Sequence, residues 1–368
     1  MTIFEPRQAG LFERLPSDVD VALLTPGPSL LYLTGYDFNR TAWGQDSPFL
    51  YVLTRDLDGA VVLPELEMER AEPALDAEFY PYGEDGDDPI DAVERVTTDY
   101  GVDVPLAVEY RTMRLQEYIL LDSIADLADT ADLGAAVADL RSRKDGQELK
   151  LFRRACELTD EVLGETLQDV KPGMQEQTID GMLRTRALQS DADAYGSGVV
   201  TSGPRTAINY TETTDRRIGQ DDVVLIDTGI VFAGYYTDVT RTVAVGDPDG
   251  PFEEMHAVVR RAARQAREAA KPGMTAHELD AVARDVIEEA GYGEEFVHGL
   301  GHGIGLDSHE APVLERGNDT VLEAGNVITI EPGIYRQGVG GIRIEDDVAI
   351  TENGAEVLTS LGRSFDGV

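Results

Sequence analysis

The sequence predicts an α/β (α+β) protein of two domains, the second built from two related halves. Three observations carry this. At 368 residues the chain exceeds the size at which single cores stop growing. Residues 1–140 alternate strand-like with helical runs, an α/β pattern. The tetrapeptide KPGM occurs twice, at Lys171–Met174 and at Lys271–Met274.

In the first domain, VDVALLT, SLLYLTGY, FLYVLT, GAVVLP and VPLAVEY read as strands. MERAEPAL, DAVERVTTDY and RLQEYILLDSIADL read as helices. The polar stretch RSRKDGQELK, residues 141–150, is the junction, which sets the domains at 1–140 and 148–368.

Each KPGM follows a helical run, LTDEVLGETLQDV or MHAVVRRAARQAREAA, and precedes another that reaches an aspartate at the same offset, Asp180 or Asp280. Pro-Gly stops a helix, so each copy reads as helix, turn, helix. Downstream come DVVLIDTGIV, from Asp222, and NVITIEPGIY, from Asn326. Aligned without gaps, they set Asp227 opposite Glu331 and Gly229 opposite Gly333. Both are β-branched runs and read as strands. A second acid follows each at hairpin distance, Asp238 in YYTDVTRTVAV and Glu345 in GGIRIEDDVAI. Four carboxylates in a core of strands need a reason, because burying them is costly unless they are paired or bound to metal.

Three of the five histidines fall in HGLGHGIGLDSHE, His298–Glu310. His298 and His302 are four apart, as in a zincin helix, but glycine at 299, 301, 303 and 305 argues against a helix. Glycine at every second residue suits a strand or loop that packs close to other backbone. In that geometry His302 reaches a metal while neighbouring imidazoles line the substrate side. Four carboxylates and an imidazole suit two divalent ions, and oxygen-rich ligation with one nitrogen favours Mn²⁺, Fe²⁺ or Co²⁺. His256 and His277 have no such context and read as helix-surface residues.

Composition narrows the function classes. The chain carries 31 basic and 70 acidic residues, net −39, which excludes a nucleic-acid binder. Only Lys144, Lys150, Lys171 and Lys271 are lysines; the other basic residues are arginines. The acid is spread along the chain, as on a solvated surface suited to a high-salt cytoplasm and a halophilic source. No apolar run is long enough for a membrane span, and MTIFEPRQAGLFERL, with no basic region followed by an apolar stretch, argues against a secretion signal. Cys156 is the only cysteine, so no disulfide closes within the chain, and a cytoplasmic location is expected.

DTG…YYTDVTRT, HGLGHGIGLDSHE, TIEPGIY and GGIRIEDDV together resemble the M24 metallopeptidase family, with its pita-bread fold. Prolidase, aminopeptidase P, methionine aminopeptidase and creatinase belong to it. SLLYLTGYDF resembles the N-terminal domain that prolidase, aminopeptidase P and creatinase share. The resemblance implies two divalent metals, manganese foremost, with cobalt, iron or zinc as alternatives. It implies that Asp227 chelates one metal, that His302 binds the other, and that Asp238 and Glu345 contact both. Glu331 completes the set and handles the proton of the attacking water. His298 and His309 hold the substrate carbonyl and the tetrahedral intermediate, while Tyr235 and Arg343 support the ligands or the substrate. The implied reaction is hydrolysis of an Xaa-Pro bond in a dipeptide or at the N-terminus of a short peptide, by a homodimer.

The chemistry is sound without the family name. A metal pair makes hydroxide available near neutral pH, a carboxylate can take and return its proton, and a neutral imidazole can donate to the oxyanion. One departure matters for substrate choice. The family commonly has Pro-His before the first aspartate, where SGPRTAINY has Asn209 and Tyr210. Tyr210 would then bind substrate without shuttling protons, since a phenol titrates near pH 10. The arginine that prolidases often carry after His-Glu is Val313 here, with only Arg316 nearby. A creatinase-like C–N hydrolase or lyase is therefore the alternative reading. A binding protein that merely keeps the fold is disfavoured by the intact ligands. Trp43, the only tryptophan, reads as an ordinary partly buried loop residue.

Overall fold

The computed structural model describes residues 3–38, 47–83, 88–102, 105–123, 127, 130–209 and 211–366. Trp43 and Tyr210 lie outside the described residues. The chain divides into two compact units, Met1–Arg141 and Ser142–Val368.

The first unit runs α1 (Phe4–Arg14), β1 (Val21–Leu24), α2 (Pro28–Thr34), β2 (Leu50–Thr54), β3 (Gly59–Pro64), α3 (Met68–Ala71) and β4 (Glu78–Tyr82). It continues with α4 (Pro89–Asp99), β5 (Leu106–Val108), α5 (Leu115–Asp122), β6 (Ala131–Asp132) and α6 (Gly134–Ser142). Its sheet has the order β4-β3-β2-β1-β5-β6. Val21, Leu23, Val52, Val62, Leu106 and Val108 of the sheet bury against Ala92, Val93 and Val96 of α4.

SLLYLTGY is not a strand. Pro28 supplies a preset φ at the first turn of α2, and Gly35, at φ +77°, takes the left-handed position that ends it. Ser29, Leu30, Tyr32, Leu33 and Thr34 are all buried, so the helix shows no polar stripe to reveal its period.

The second unit begins at α7 (Gly146–Asp169). The Asp145 carboxylate accepts from the N–H groups of Gln147 and Glu148, and the Glu148 side chain accepts from the Asp145 N–H. This reciprocal cap makes the polar junction a helix start rather than a loose linker. Then follow α8 (Glu176–Gln189), β7 (Ala194–Ser202), β8 (Asp222–Phe232), β9 (Tyr235–Tyr236) and β10 (Val239–Val245). The second half holds α9 (Phe252–Ala269), α10 (Ala276–Glu289), β11 (Gly301–Gly303), β12 (Glu310–Leu314) and β13 (Val327–Ile330). It closes with β14 (Gly333–Arg336), β15 (Gly340–Arg343), β16 (Asp346–Thr351) and β17 (Gly354–Val357).

The two KPGM turns are built alike. Gly173 donates to the Ile218 carbonyl at 2.8 Å and Ile218 donates back to Met174 at 2.9 Å. Gly273 and Leu322 make the equivalent pair at 2.8 Å, and Leu322 donates back to Met274 at 2.7 Å. Both glycines have positive φ, +86° and +89°. Each half has its own apolar core. Val162, Ile179, Leu183, Ile226 and Val243 belong to the first, and Val259, Leu279, Ile287, Ile328 and Val348 to the second.

His277 is exposed, as read from the sequence, but His256 is not. It is buried on α9, with its ring 4.9 Å from that of Phe365. The C-terminal segment that covers it is distant in sequence, so the α9 pattern alone placed it at the surface. Burial, assisted by Arg260, lowers its pKa from 6.5 to about 4. A group held neutral in this way adds nothing to the pH dependence above its unfolded pKa. It withdraws stability as pH falls from about 6.5 towards about 4. The gap in unfolding free energy between His256→Phe and wild type should therefore change across that window in urea titrations. A gap independent of pH would assign the residue to packing alone.

Candidate metal centre

The two halves deliver their acids at matching places. Asp227 lies within β8, paired with Thr240 of β10, and Glu331 directly follows β13. Asp238 directly precedes β10, the partner of β8, and Glu345 directly precedes β16, the partner of β13. His302 is the middle residue of β11, between β12 and β13. The glycines beside it are needed for close approach. A Cβ on Gly301 would run into the Thr329 carbonyl, and one on Gly303 into that of Ala311.

Asp238, His302 and Glu345 are buried, and each offers a ligand atom within 4.8 Å of the others. Thr240 donates its hydroxyl to Glu345 at 2.6 Å, and the Glu345 N–H donates to the Thr240 carbonyl at 3.1 Å. Asp347 accepts the Asp238 N–H at 3.1 Å. Oδ1 of Asp238 is buried with no hydrogen-bond partner. His302 Nδ1 stands 2.9 Å from the Gly303 carbonyl, which can only accept, so Nδ1 carries the proton and Nε2 presents its lone pair. That Nε2 is 3.5 Å from Oε1 of Glu331.

Burial first, then repulsion from neighbouring acids (Glu345, Asp227 and Glu331 on Asp238; Glu331 and Asp227 on Glu345), holds the Asp238 and Glu345 carboxyls well above the carboxylate range. Burial also raises Glu331 to about 7, against the pull of Arg343. His302 and His298 are lowered by burial to about 4, so both imidazoles are neutral near pH 7. The donor set fits a divalent cation. A buried, unpartnered carboxylate oxygen, crowded acids and a neutral imidazole are what a hard or borderline ion would neutralise.

Arg343 is the one cation pressed into this cluster among the described residues. It pairs with Asp227 and donates to the Thr240 hydroxyl at 3.0 Å, to the Tyr335 hydroxyl at 2.9 Å and to the Asn209 side chain at 3.3 Å. His298 Nδ1 faces the Gly299 carbonyl at 2.7 Å and Nε2 faces the Tyr335 hydroxyl at 2.9 Å. Both nitrogens are therefore engaged, and His298 can serve a substrate only by exchanging the Tyr335 contact. His309 is exposed and stacks on His302, with ring centroids 3.8 Å apart. The Tyr235 hydroxyl is given to Glu148 at 2.8 Å, on the first turn of α7. Arg316 pairs with Glu288, and Val313 is exposed.

Sequence reading missed Tyr335, which joins His298 to Arg343, and Asp347, which holds the Asp238 backbone. Nothing local marked them. Tyr335 sits four residues past Glu331 in a strand that reads as ordinary β-sheet, and Asp347 is one acid among three in a row.

Comparison with known proteins decides the family. Residues 150–352 match the model of metallopeptidase family M24, and residues 16–143 match the creatinase/prolidase N-terminal domain. The chain belongs to family M24. This M24 metallopeptidase is 32% identical over 358 residues to the Xaa-Pro dipeptidase of Pyrococcus horikoshii, which covers 95% of each chain. An Xaa-Pro dipeptidase structure from Bacillus anthracis superposes with a TM-score of 0.89 at 30% identity, over 98% of this chain and 99% of that one. The X-Pro aminopeptidase of Thermotoga maritima gives 0.86 at 32% identity, over 97% and 99%. The two-domain architecture of the M24 protein is therefore that of the prolidases, a creatinase-like unit followed by a pita-bread unit. Among its described residues no helix is long and apolar enough to cross a membrane.

Proposed function

We propose that this metallopeptidase hydrolyses the Xaa-Pro bond of dipeptides, or of short peptides at their N-terminus, with two divalent metals in a homodimer. The observation that carries the reading is the buried trio Asp238, His302 and Glu345, flanked by Asp227 and Glu331. It stands in a chain that aligns end to end with an Xaa-Pro dipeptidase. Asp227, Asp238, His302, Glu331 and Glu345 would hold the metals, with Mn²⁺ favoured by the oxygen-rich set. When bound, the pair supplies Lewis acidity and lowers the pKa of a shared water to about 7.

The chain's own residues do the rest. Glu331, steadied by the Thr329 hydroxyl at 3.3 Å, takes the proton of the attacking water and returns it to the leaving imino nitrogen. His309, at the exposed side of His302, donates to the oxyanion. His298 contacts the substrate when Tyr335 releases it, and Arg343 balances the charge of Asp227 until metal and substrate arrive. Tyr235 we assign to support of the fold around the site, through Glu148. Tyr210 stands at the position the family gives to a substrate-contacting histidine, and it would add one hydrogen bond there.

Protein loaded with Mn²⁺ in high salt should hydrolyse Xaa-Pro dipeptides or Xaa-Pro tripeptides and leave creatine untouched. Turnover of creatine alone would move the assignment to a non-peptidase C–N hydrolase. The dipeptide and tripeptide rates separate dipeptidase from aminopeptidase.

The charge of −39 supports a setting of high salt, in the cytoplasm of a halophile. Unscreened self-repulsion opposes the compact state, and salt shortens its reach from about 10 Å at 0.1 M to about 3 Å at 1 M. The melting temperature should therefore rise with KCl into the molar range. A flat or falling curve would mean that the acidic surface serves a basic partner instead.

A further inference from the structure

Asp280 and Arg284, the acid and base one turn apart on α10, form a buried pair that is not among the proposed metal ligands. Arg284 Nε and Nη2 each donate to one oxygen of Asp280 at 2.8 Å. The remaining donors of the fork go to backbone. Nη1 reaches the Phe296 carbonyl at 3.0 Å and Nη2 reaches the His298 carbonyl at 2.7 Å. The guanidinium also lies 4.1 Å from the centre of the Phe296 ring. That ring in turn meets His298 edge-on, with centroids 5.2 Å apart and planes at 87°. Asp280 completes the grip by accepting the Leu300 N–H at 3.0 Å.

The first half carries the same device at the same offset from its KPGM turn. Arg184 bonds Asp180 at 2.8 Å, lies 4.6 Å from the Tyr195 ring centre, and Asp180 accepts the Tyr195 hydroxyl at 3.1 Å. There the arginine side chain is 56% exposed; in the second half it is 8% exposed. The copy that sinks into the fold is the one that bonds the loop carrying His298.

We propose that Asp280 and Arg284 are positioning residues for the reaction. They fix His298 through its own carbonyl and through the Phe296 ring, and so aim its imidazole at the substrate side of the centre. A planar fork is required, because one group must reach a carboxylate and two carbonyls at once. This rests on the substrate role proposed for His298, so the test includes a readout that does not need turnover.

Arg284→Met should lower kcat/KM for an Xaa-Pro dipeptide by roughly 10- to 100-fold, the effect of a misplaced group, with full metal content. In a His298→Gln background the same change should cost less than about twofold, because the residue it positions is already gone. Arg284→Lys, which keeps the charge beside Asp280 but loses the fork, should behave like Arg284→Met and covers the case in which the methionine variant does not fold. Arg184→Met should leave activity unchanged. The imidazole NMR signals of His298 should shift in the Arg284 variants and stay in place in Arg184→Met, whether or not the protein cleaves Xaa-Pro bonds. An equal loss in both backgrounds, a loss that tracks metal content, or an unmoved His298 signal would overturn the proposal.

Discussion

Replacing Asp238 or Glu345 by alanine should strip bound metal and lower kcat/KM by more than about 10³-fold, at least about 4 kcal/mol of transition-state stabilisation. Asp238 has a buried Oδ1 with no other partner, and its backbone N–H is held by Asp347 at 3.1 Å. Glu345 is 1% exposed and oriented by Thr240. The same crowding implies the opposite effect on the metal-free protein. Burial and repulsion raise both carboxyls, so a neutral isostere relieves a cost that the metal-free fold carries. Asp238→Asn should thus melt higher than wild type in chelator while being inactive in metal. Elemental analysis and paired melts check both halves of this statement. Two full equivalents of metal in both alanine variants would remove these residues from the ligand set.

Asp346→Ala should destabilise the fold by about 3–5 kcal/mol, the cost of leaving buried charge without its partner. Asp346 is fully buried and takes Arg241 at 2.9 Å, Arg267 at 2.5 Å and Arg363 at 2.6 and 2.8 Å, with the Thr359 hydroxyl at 2.9 Å. Removing the carboxylate leaves three guanidinium groups facing one another. The arginines hold more than the acid. Arg241 donates to the carbonyls of Glu345 at 2.6 Å, Leu361 at 2.9 Å and Gly362 at 3.0 Å, tying the C-terminal segment to the strand that follows Glu345. Arg241→Met should be milder, since Arg267 and Arg363 still neutralise Asp346. Urea unfolding of the metal-free proteins measures both, and a loss under about 1 kcal/mol for Asp346→Ala would show that the cluster is solvated and weak.

The acids of the candidate centre were readable because their spacing repeats. Two KPGM turns, two β-branched runs and two later acids recur in register, and duplication of a chain segment is written in the chain itself. The alternating glycines around His302 were equally legible, because only a strand or loop in close backbone contact has use for them. The role of each acid in Glu345-Asp346-Asp347 was not legible. Successive strand residues face opposite ways, and here Glu345 turns to the candidate metal centre, Asp346 to the arginines and Asp347 to the Asp238 backbone. Which is which depends on the β13 and β10 strands that flank them.

The helical state of SLLYLTGY was hidden for a related reason. Its side chains are buried on every side, and the period that separates helix from strand shows only where one face meets water. His256 was misplaced because its cover, Phe365, arrives from more than a hundred residues away. By itself, then, the sequence determined the two-part architecture, the duplicated half and the five candidate ligands, all of which rest on local pattern and spacing. Only the tertiary structure decided the partners of buried charge: Arg343 on Asp227, three arginines on Asp346, and Arg284 on the His298 backbone. Burial makes such pairings strong by excluding water, and which side chains share a dry volume is set by the packing of distant elements.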